Sequence, residues 1–237
     1  MRNRSIKVLG LAVLISMTVL TNANAVPTFL GPTSYLSQAD SPFSTDITAG
    51  TTYLETFEDH LLDTPGVIAS AGGVTSVVFG PSIHDSVDAD DGSIDGSGLL
   101  GDSYFSSSGA TGIMFTFNAS ILGGLPTQVG IVWTDGAGNT LFEAFGSGGV
   151  SLGTIGPVAI ADEGHSGATA EDSFFGLIDA DGISAIKISN TGGGIEVDHL
   201  QYGQSNTNPV PEPSTLLLLG SGLVGLAGMR RRFKAKG

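Results

Sequence analysis

The chain has 237 residues, of which 41% are hydrophobic and only 14% are charged. This composition excludes a disordered polyelectrolyte and is sufficient for one domain with a sizeable core. Cysteine is absent, which excludes disulfide frameworks, thiolate zinc sites, iron–sulfur clusters and thiol nucleophiles. The formal net charge is −14, and residues 26–209 contain one basic residue, Lys187, against 22 acidic ones. Such a surface repels phosphate backbones, so nucleic acid is excluded as a partner, and divalent cations are its natural counterions.

The first 25 residues have the three parts of a secretory signal peptide. Residues 1–7 contain three basic side chains, residues 8–20 form an apolar stretch, and Ala23 and Ala25 are the small residues that a signal peptidase requires before its cut. A bilayer-spanning helix needs about 20 apolar residues, so the stretch is short for a retained anchor, which is the alternative. We expect signal peptidase to cleave after Ala25 and the mature chain to begin at Val26.

The ectodomain, residues 26–204, is predicted to be all-β. Residues 26–50 contain three prolines, which favours edge strands or an irregular arm. Runs of β-branched and aromatic residues predict strands at residues 51–57, 74–79, 112–118, 128–134, 140–145, 173–178, 183–189 and 195–202. Glycine-rich segments such as residues 135–139 and 192–194 are predicted to be turns. Short strands with such turns favour a single, jelly-roll-like β-sandwich.

An acidic, glycine-rich segment at residues 86–98 is the first candidate metal site. Its candidate ligands are Asp88, Asp90, Asp91 and Asp95. Calcium takes about six to eight hard oxygen ligands, and alternating aspartates in a turning loop offer carboxylates with backbone carbonyls between them. The EF-hand register is not met, since glycine stands at the fifth position from Asp88 and Leu99 at the twelfth. The loop therefore predicts a calcium site of another kind, with a solvated turn as the alternative.

A second acidic candidate joins distant parts of the chain. Glu58 and Asp59 follow an early predicted strand, while Asp198 lies in the last one. Strand alternation places Glu196 on the same face as Asp198. In this respect the ectodomain resembles jelly-roll carbohydrate-binding modules, and the resemblance implies a structural calcium between the first strands and an aspartate of the final strand. A solvated strand edge is the alternative.

Other side chains indicate chemistry less directly. The four histidines, His60, His84, His165 and His199, match no zinc spacing, and we expect them to be scattered over the surface. Tyr35, Tyr104 and Trp133 are amphipathic, so they could stack on a sugar ring, although strand alternation also suits a place in the core.

A polar linker at residues 205–209 follows the ectodomain. The C-terminal 28 residues after it carry a second targeting signal. Pro211, Glu212 and Pro213 precede an apolar run at residues 215–229. A basic cluster follows: Arg230, Arg231 and Arg232. Basic residues stay in the cytoplasm, so the ectodomain lies outside the membrane. The apolar run is short for a permanent span, although a plain single-span anchor is the alternative.

This segment, residues 210–237, resembles the sorting signal of PEP-CTERM proteins in the order and spacing of its three features. The resemblance implies that an exosortase in the inner membrane of a Gram-negative bacterium recognises Pro211, Glu212 and Pro213, with the arginine cluster as the membrane stop signal. It also implies an inner-membrane intermediate, release to the cell surface or extracellular matrix, and an association with exopolysaccharide and biofilm.

Two hypotheses about function follow. The first is a non-catalytic exported protein, stabilised by calcium and in contact with exopolysaccharide. The alternative is a secreted polysaccharide hydrolase that uses a pair of acids in a sandwich cleft, because glycoside hydrolysis needs two carboxyl groups with different roles. The two hypotheses differ in one feature. Only the hydrolase requires an acid pair in a cleft, with the pKa of one carboxyl group raised.

Overall fold

The structure, a computed structural model, describes residues 26–78, 85–161 and 167–205. The predicted signal peptide, residues 206–209 of the linker and the sorting segment lie outside the described residues. Within the described ranges, no helix combines the length and the hydropathy that a membrane span requires.

The described chain is built mainly of strands. They are β1 (Thr28–Ser34), β2 (Thr52–Glu55), β3 (Val67–Ala69), β4 (Gly73–Val74), β5 (Tyr104–Ser106), β6 (Ile113–Phe117), β7 (Gln128–Gly146), β8 (Ser151–Val158), β9 (Ser173–Ile178) and β10 (Ile183–Gly203). The α-helices are short: α1 (Ser44–Thr48), α2 (Thr75–Val78) and α3 (Ala119–Leu122). Single 3-10 turns occur at Gln38–Asp40, Asp88–Asp91, Ser147–Gly149 and Thr169–Glu171.

All ten strands join one antiparallel sheet organised by the long pair β7 and β10. These two strands pair from Gln128 opposite Gly203 to Gly146 opposite Ile183. The first half of β7 is flanked by β9 and then β1, and its second half by β8. On the other side, β10 pairs in turn with β6, β5 and β2, while β3 extends β6 and β4 extends β5.

The sheet folds over on itself, so its two halves face each other. Phe142, in the second half of β7, stacks on Phe175 of β9 with ring centroids 6.0 Å apart. Phe117 of β6 packs against Tyr202 near the end of β10 at 5.0 Å. In both contacts the partners belong to opposite halves of the sheet, since β9 flanks the first half of β7 and β6 flanks the first half of β10. The all-β prediction is confirmed, and the two layers of this sandwich belong to one continuous sheet.

Two apolar clusters lie on opposite faces of the half that contains β9. The large cluster fills the space between the two halves and includes Trp133, which is fully buried. The smaller cluster lies on the outer face of this half: Tyr35, Phe43, Val87, Val132 and Phe174. Because Val87 comes from the acidic loop, the loop packs onto the sheet and covers this outer face.

The glycine-rich segments at residues 135–139 and 192–194 are not turns, and the prediction was wrong here. They lie opposite each other inside β7 and β10, where Gly192 pairs with Ala137 and Ile195 with Gly136. The register shifts on either side mark β-bulges, which bend a strand without ending it. Glycine suits this place because a side chain at residue 136 would collide with Asn190.

The strand predicted at residues 74–79 is also wrong in most of its length. Strand β4 ends at Val74, and helix α2 begins at Thr75. Asp102, from a distant part of the chain, accepts hydrogen bonds from the Thr75 hydroxyl and from the Ser76 backbone. This carboxylate satisfies a free N–H group of the first helical turn, so a tertiary contact overrides the β propensity of the segment. Residue 79 lies outside the described residues.

Candidate metal centre

Buried carboxylates fasten the acidic loop to the outer face of the sheet. Asp198 lies opposite Val132 in the β7–β10 pair, so its side chain belongs to the outer face. Its Oδ2 accepts a hydrogen bond from the Val87 backbone N–H at 3.0 Å. Glu196, on the same face, accepts one from the Asp85 backbone N–H at 3.0 Å. The predicted shared face of Glu196 and Asp198 therefore holds the start of the loop.

Asp88 organises the inside of this loop. It is buried and accepts hydrogen bonds from the backbone N–H groups of Asp95 at 3.0 Å and Gly96 at 3.1 Å, and from the Thr169 hydroxyl at 2.9 Å. Burial alone would raise the pKa of Asp88, but these hydrogen bonds outweigh it and hold the pKa below its usual range. Asp88 is thus an ionised acceptor that closes the loop.

Asp90, Asp198 and His199 form a group that could hold a metal ion. Each offers one ligand atom, and these atoms lie within 4.8 Å of one another. Asp90 comes from the acidic loop and Asp198 from the final strand, so the group joins parts of the two predicted sites. Carboxylate oxygens suit a hard cation such as Ca²⁺.

His199 is buried, which contradicts its expected place on the surface. Its Nδ1 lies 2.8 Å from the Tyr35 hydroxyl, and its Nε2 lies 3.0 Å from Asp90 Oδ2. The Tyr35 hydroxyl also accepts a hydrogen bond from Gln201 Nε2. His199 therefore lies between a hydroxyl and a carboxylate, and its ring position is fixed by both. Of the other histidines, His60 is exposed beside Asp102, while His84 and His165 lie outside the described residues.

The two acids of β10 are strongly affected by burial. Burial raises the pKa of Asp198 well above its usual range, and the negative charge of Asp90 adds to this effect. Burial also raises the pKa of Glu196 to about 7, although the hydrogen bond from the Asp85 backbone works in the opposite direction. A nearby cation would favour the ionised form of both groups.

The remaining predicted ligands lie apart from this group. Asp91 accepts hydrogen bonds from Ser93, Asp95 is exposed, and Asp59 is exposed and accepts from the Leu61 backbone. Glu58 accepts a hydrogen bond from the Asp102 backbone at 2.6 Å. Burial raises the pKa of Glu58 to about 7, and the charge of Asp90 contributes to the rise.

Tyr35, Tyr104 and Trp133 cannot stack on a sugar, because all three are buried. The alternative, a place in the core, is correct. A groove of about 930 Å³, with both polar and apolar lining, lies beside the metal group instead. Among its lining residues are Gln38, Ser44, Thr45, Thr56, Asp90 and His199. Hydroxyl and amide groups in this arrangement can hydrogen-bond a carbohydrate.

Comparison with known proteins identifies the C-terminal segment. Residues 209–232 match the family model described as the PEP-CTERM protein-sorting motif. The chain therefore carries this motif, as its Pro-Glu-Pro tripeptide and arginine cluster predicted, and the motif implies export and processing by an exosortase through a membrane-anchored intermediate. No curated protein and no solved structure matches the chain, and the resemblance of the ectodomain to carbohydrate-binding modules stays a prediction.

Proposed function

We propose that the protein is a non-catalytic component of the cell surface or extracellular matrix of a Gram-negative bacterium, stabilised by calcium and in contact with exopolysaccharide. The observation that carries the calcium proposal is the convergence of Asp90 and Asp198. The one basic residue of the ectodomain, Lys187, lies opposite Glu143 in the other half of the sheet. The positive charge that compensates Asp90 and Asp198 must therefore be a bound proton, His199 or a cation from solution.

Calcium would relieve a real energetic cost. Two carboxylates that share a buried site cannot both ionise without a strong penalty. A cation that binds the native state alone stabilises it by RT ln(1 + [L]/Kd), which is about 2.7 kcal/mol at a hundredfold excess over Kd. The geometry supports Asp90 and Asp198 as ligands, and His199 positions Asp90 through its Nε2.

Thermal melting of the exported, processed protein tests the calcium proposal. We expect a higher Tm in millimolar calcium than in chelator at fixed ionic strength, which excludes simple screening. Asp90→Asn and Asp198→Asn should each reduce this difference. Asp91→Asn is the matched control, since it removes the same charge from the same loop at a position that contacts Ser93. An identical Tm in calcium and chelator for the unmodified protein would contradict the proposal.

Contact with exopolysaccharide is supported by the hydroxyl and amide groups that line the groove beside Asp90. Binding of the exported protein to a glycan array in calcium, and its loss after Thr45→Ala or Gln38→Ala, is the expected result. Thr64→Ala, outside the groove, is the control. Absence of binding to any glycan would remove this part of the proposal.

Export and sorting have separate tests. N-terminal sequencing of the exported protein should begin at Val26 or within a few residues of it, since signal peptidase cuts after small residues. Glu212→Ala, or deletion of residues 230–232, should leave the protein unsorted in fractions of an exosortase-bearing host. If both variants reach the medium trimmed like the parent, the tail does not direct sorting.

One observation favours the hydrolase alternative. Burial raises the pKa of Glu58 to about 7, whereas the hydrogen bonds from Ser76 and His60 to Asp102 outweigh burial and lower its pKa. An acid and a base with separated pKa values are what glycoside hydrolysis requires. Release of reducing sugar from matrix polysaccharide, abolished by Glu58→Gln, would support this alternative over a non-catalytic role.

A further inference from the structure

Asp172 is a buried acid whose carboxylate has no hydrogen-bond partner among the described residues. It follows the 3-10 turn Thr169–Glu171 and precedes β9. It is 1% exposed, and neither Oδ1 nor Oδ2 has a partner within the described ranges. Its backbone is fixed, because its N–H donates to Thr169 O and its carbonyl accepts from the Tyr35 N–H. The unsatisfied carboxylate is therefore carried by a backbone that is hydrogen-bonded on both sides.

Thr134 carries a second unsatisfied buried oxygen near this end of β9. Trp133 and Ser173 are the last pair between β7 and β9, and Thr134 and Asp172 are the next residues of their two segments. Thr134 is fully buried, and its Oγ1 also lacks a partner among the described residues. Alternation from Phe174 puts the Asp172 side chain on the outer face, under the acidic loop. Thr134 is the extra residue of a β-bulge, since its neighbours Trp133 and Asp135 pair with consecutive residues of β10.

The surroundings of this pair are strongly negative. Burial, together with the charges of Asp85, Glu171 and Asp88, raises the pKa of Asp172 to about 10. Asp85 exerts the largest of these charge effects and lies at the start of the loop that covers the face. Buried polar atoms in native proteins are nearly always satisfied by protein, water or an ion.

We propose that Asp172 is the centre of a second cation site, separate from Asp90, Asp198 and His199. A calcium ion there binds the Asp172 carboxylate, the Thr134 hydroxyl and the Asp85 carboxylate. All three are hard oxygen donors of the kind that Ca²⁺ takes. The site links the acidic loop to β7 and to the start of β9, so the ion joins three segments that are distant in sequence. This inference rests on the proposed stabilisation by calcium and assigns part of it to a new site.

Metal content and thermal melting of the exported protein test the site. We expect Asp172→Asn to bind one calcium fewer per chain than the unmodified protein, and to show a smaller rise in Tm on adding calcium. Asp181→Asn is the control, because it removes the same charge from an exposed position at the opposite end of β9. Unchanged calcium content and an unchanged rise in Tm for Asp172→Asn would overturn the inference.

Thr134→Val tests the site without removing a charge. Valine matches the shape of threonine and leaves no unsatisfied hydroxyl, so in chelator this variant should melt at the same temperature as the unmodified protein or higher. In calcium it should need about tenfold more calcium for half of the maximal shift, since a ligand is lost. A variant that melts lower in chelator and keeps its calcium affinity would show that the hydroxyl has another partner, and would overturn the inference.

The outcomes separate this site from the proposed function. If the unmodified protein shows no calcium response, the calcium proposal fails and this site fails with it. If the response is abolished by Asp90→Asn but unaffected by Asp172→Asn, calcium stabilises the protein and Asp172 is a buried, protonated acid. The inference is then overturned while the proposed function stands.

Discussion

The start of the acidic loop and the start of β9 each bury one aspartate, Asp88 and Asp172, and the two differ in their partners. Both are 1% exposed, and both contact Thr169, whose hydroxyl donates to Asp88 and whose carbonyl accepts from the Asp172 N–H. Asp88 accepts hydrogen bonds from two backbone N–H groups as well. The Asp172 carboxylate has no partner among the described residues.

At equal solvent exposure the two acids have opposite pKa shifts. Hydrogen bonds hold the pKa of Asp88 below its usual range despite burial, whereas burial and neighbouring negative charges raise the pKa of Asp172 to about 10. The protonation state of a buried acid depends on what solvates it in place of water. Asp88 is solvated by the protein itself. Asp172 requires a proton or a cation.

The largest expected effect is a pH dependence of opposite sign for the two acids. Asp172 has a folded pKa near 10 and an unfolded pKa of about 3.9, so its contribution is fully present below about pH 4 and is lost as pH rises towards 10. In chelator, stability should fall by at most about 4 kcal/mol between pH 5 and 8. Asp88 has the opposite effect. Because its pKa is lowered in the folded state, it stabilises the native state above about pH 4, and this stabilisation is lost at lower pH.

Urea denaturation in chelator at several pH values measures how the free energy of unfolding changes with pH. Asp172→Asn should flatten it, and Asp181→Asn should leave it unchanged. A slope that survives Asp172→Asn would mean that other acids, such as Glu196 with its pKa near 7, dominate the alkaline loss.

The next largest effect is expected for Asp88→Ala. The substitution leaves the N–H groups of Asp95 and Gly96 without their acceptor, and hydrogen bonds to a charged group contribute about 1.5 to 3 kcal/mol each. Because the losses are not additive, we expect about 3 kcal/mol less stability at pH 7. Denaturation in urea measures it, with Asp91→Ala as the control from the same loop. A loss no larger than the control's would show that the loop does not depend on Asp88.

Much of this sheet could be predicted from the sequence, because its signals are local. Residues 173–178 are rich in aromatic and branched apolar side chains, and β9 has these bounds. The continuity of β7 and β10 could not be predicted in the same way, since glycines in a turn and glycines in paired bulges have the same local sequence. The difference depends on which segment lies opposite, as it does for Gly136 and Asn190.

The candidate site was predicted only in part, because some of its signals are local and others depend on tertiary packing. Alternation placed Glu196 and Asp198 on one face, and the acidic loop was identified by composition. That Asp90, rather than Asp88, meets Asp198 depends on how the loop packs through Val87. Asp172 was missed, because an acid before a strand is usually exposed and its burial comes from the loop laid over it. That Thr134 and Asp172 follow the same strand pair is known only from the pairing of β7 with β9.

A smaller effect is expected for Thr169→Val, at the residue shared by the two acids. The substitution removes the hydroxyl that donates to Asp88 but keeps the backbone carbonyl that holds Asp172. One hydrogen bond to an ionised acceptor should cost about 1.5 kcal/mol, and Asp88 keeps its two backbone donors. Urea denaturation at pH 7 should show this loss. Equal losses at pH 7 and at pH 3 would contradict the role of an ionised Asp88.

The smallest effect is expected for Asp95→Asn, and it sharpens the contrast between the loop's surface and its interior. The Asp95 backbone N–H donates to Asp88, but within the described ranges its exposed carboxylate has only a long contact of 3.4 Å with the Ser93 hydroxyl. Exposed substitutions of this kind change stability by less than about 0.5 kcal/mol, so we expect nearly unchanged melting in chelator and an unchanged rise in Tm with calcium. A reduced calcium response would place the ion on the solvent side of the loop, among Asp91 and Asp95, and away from the buried face.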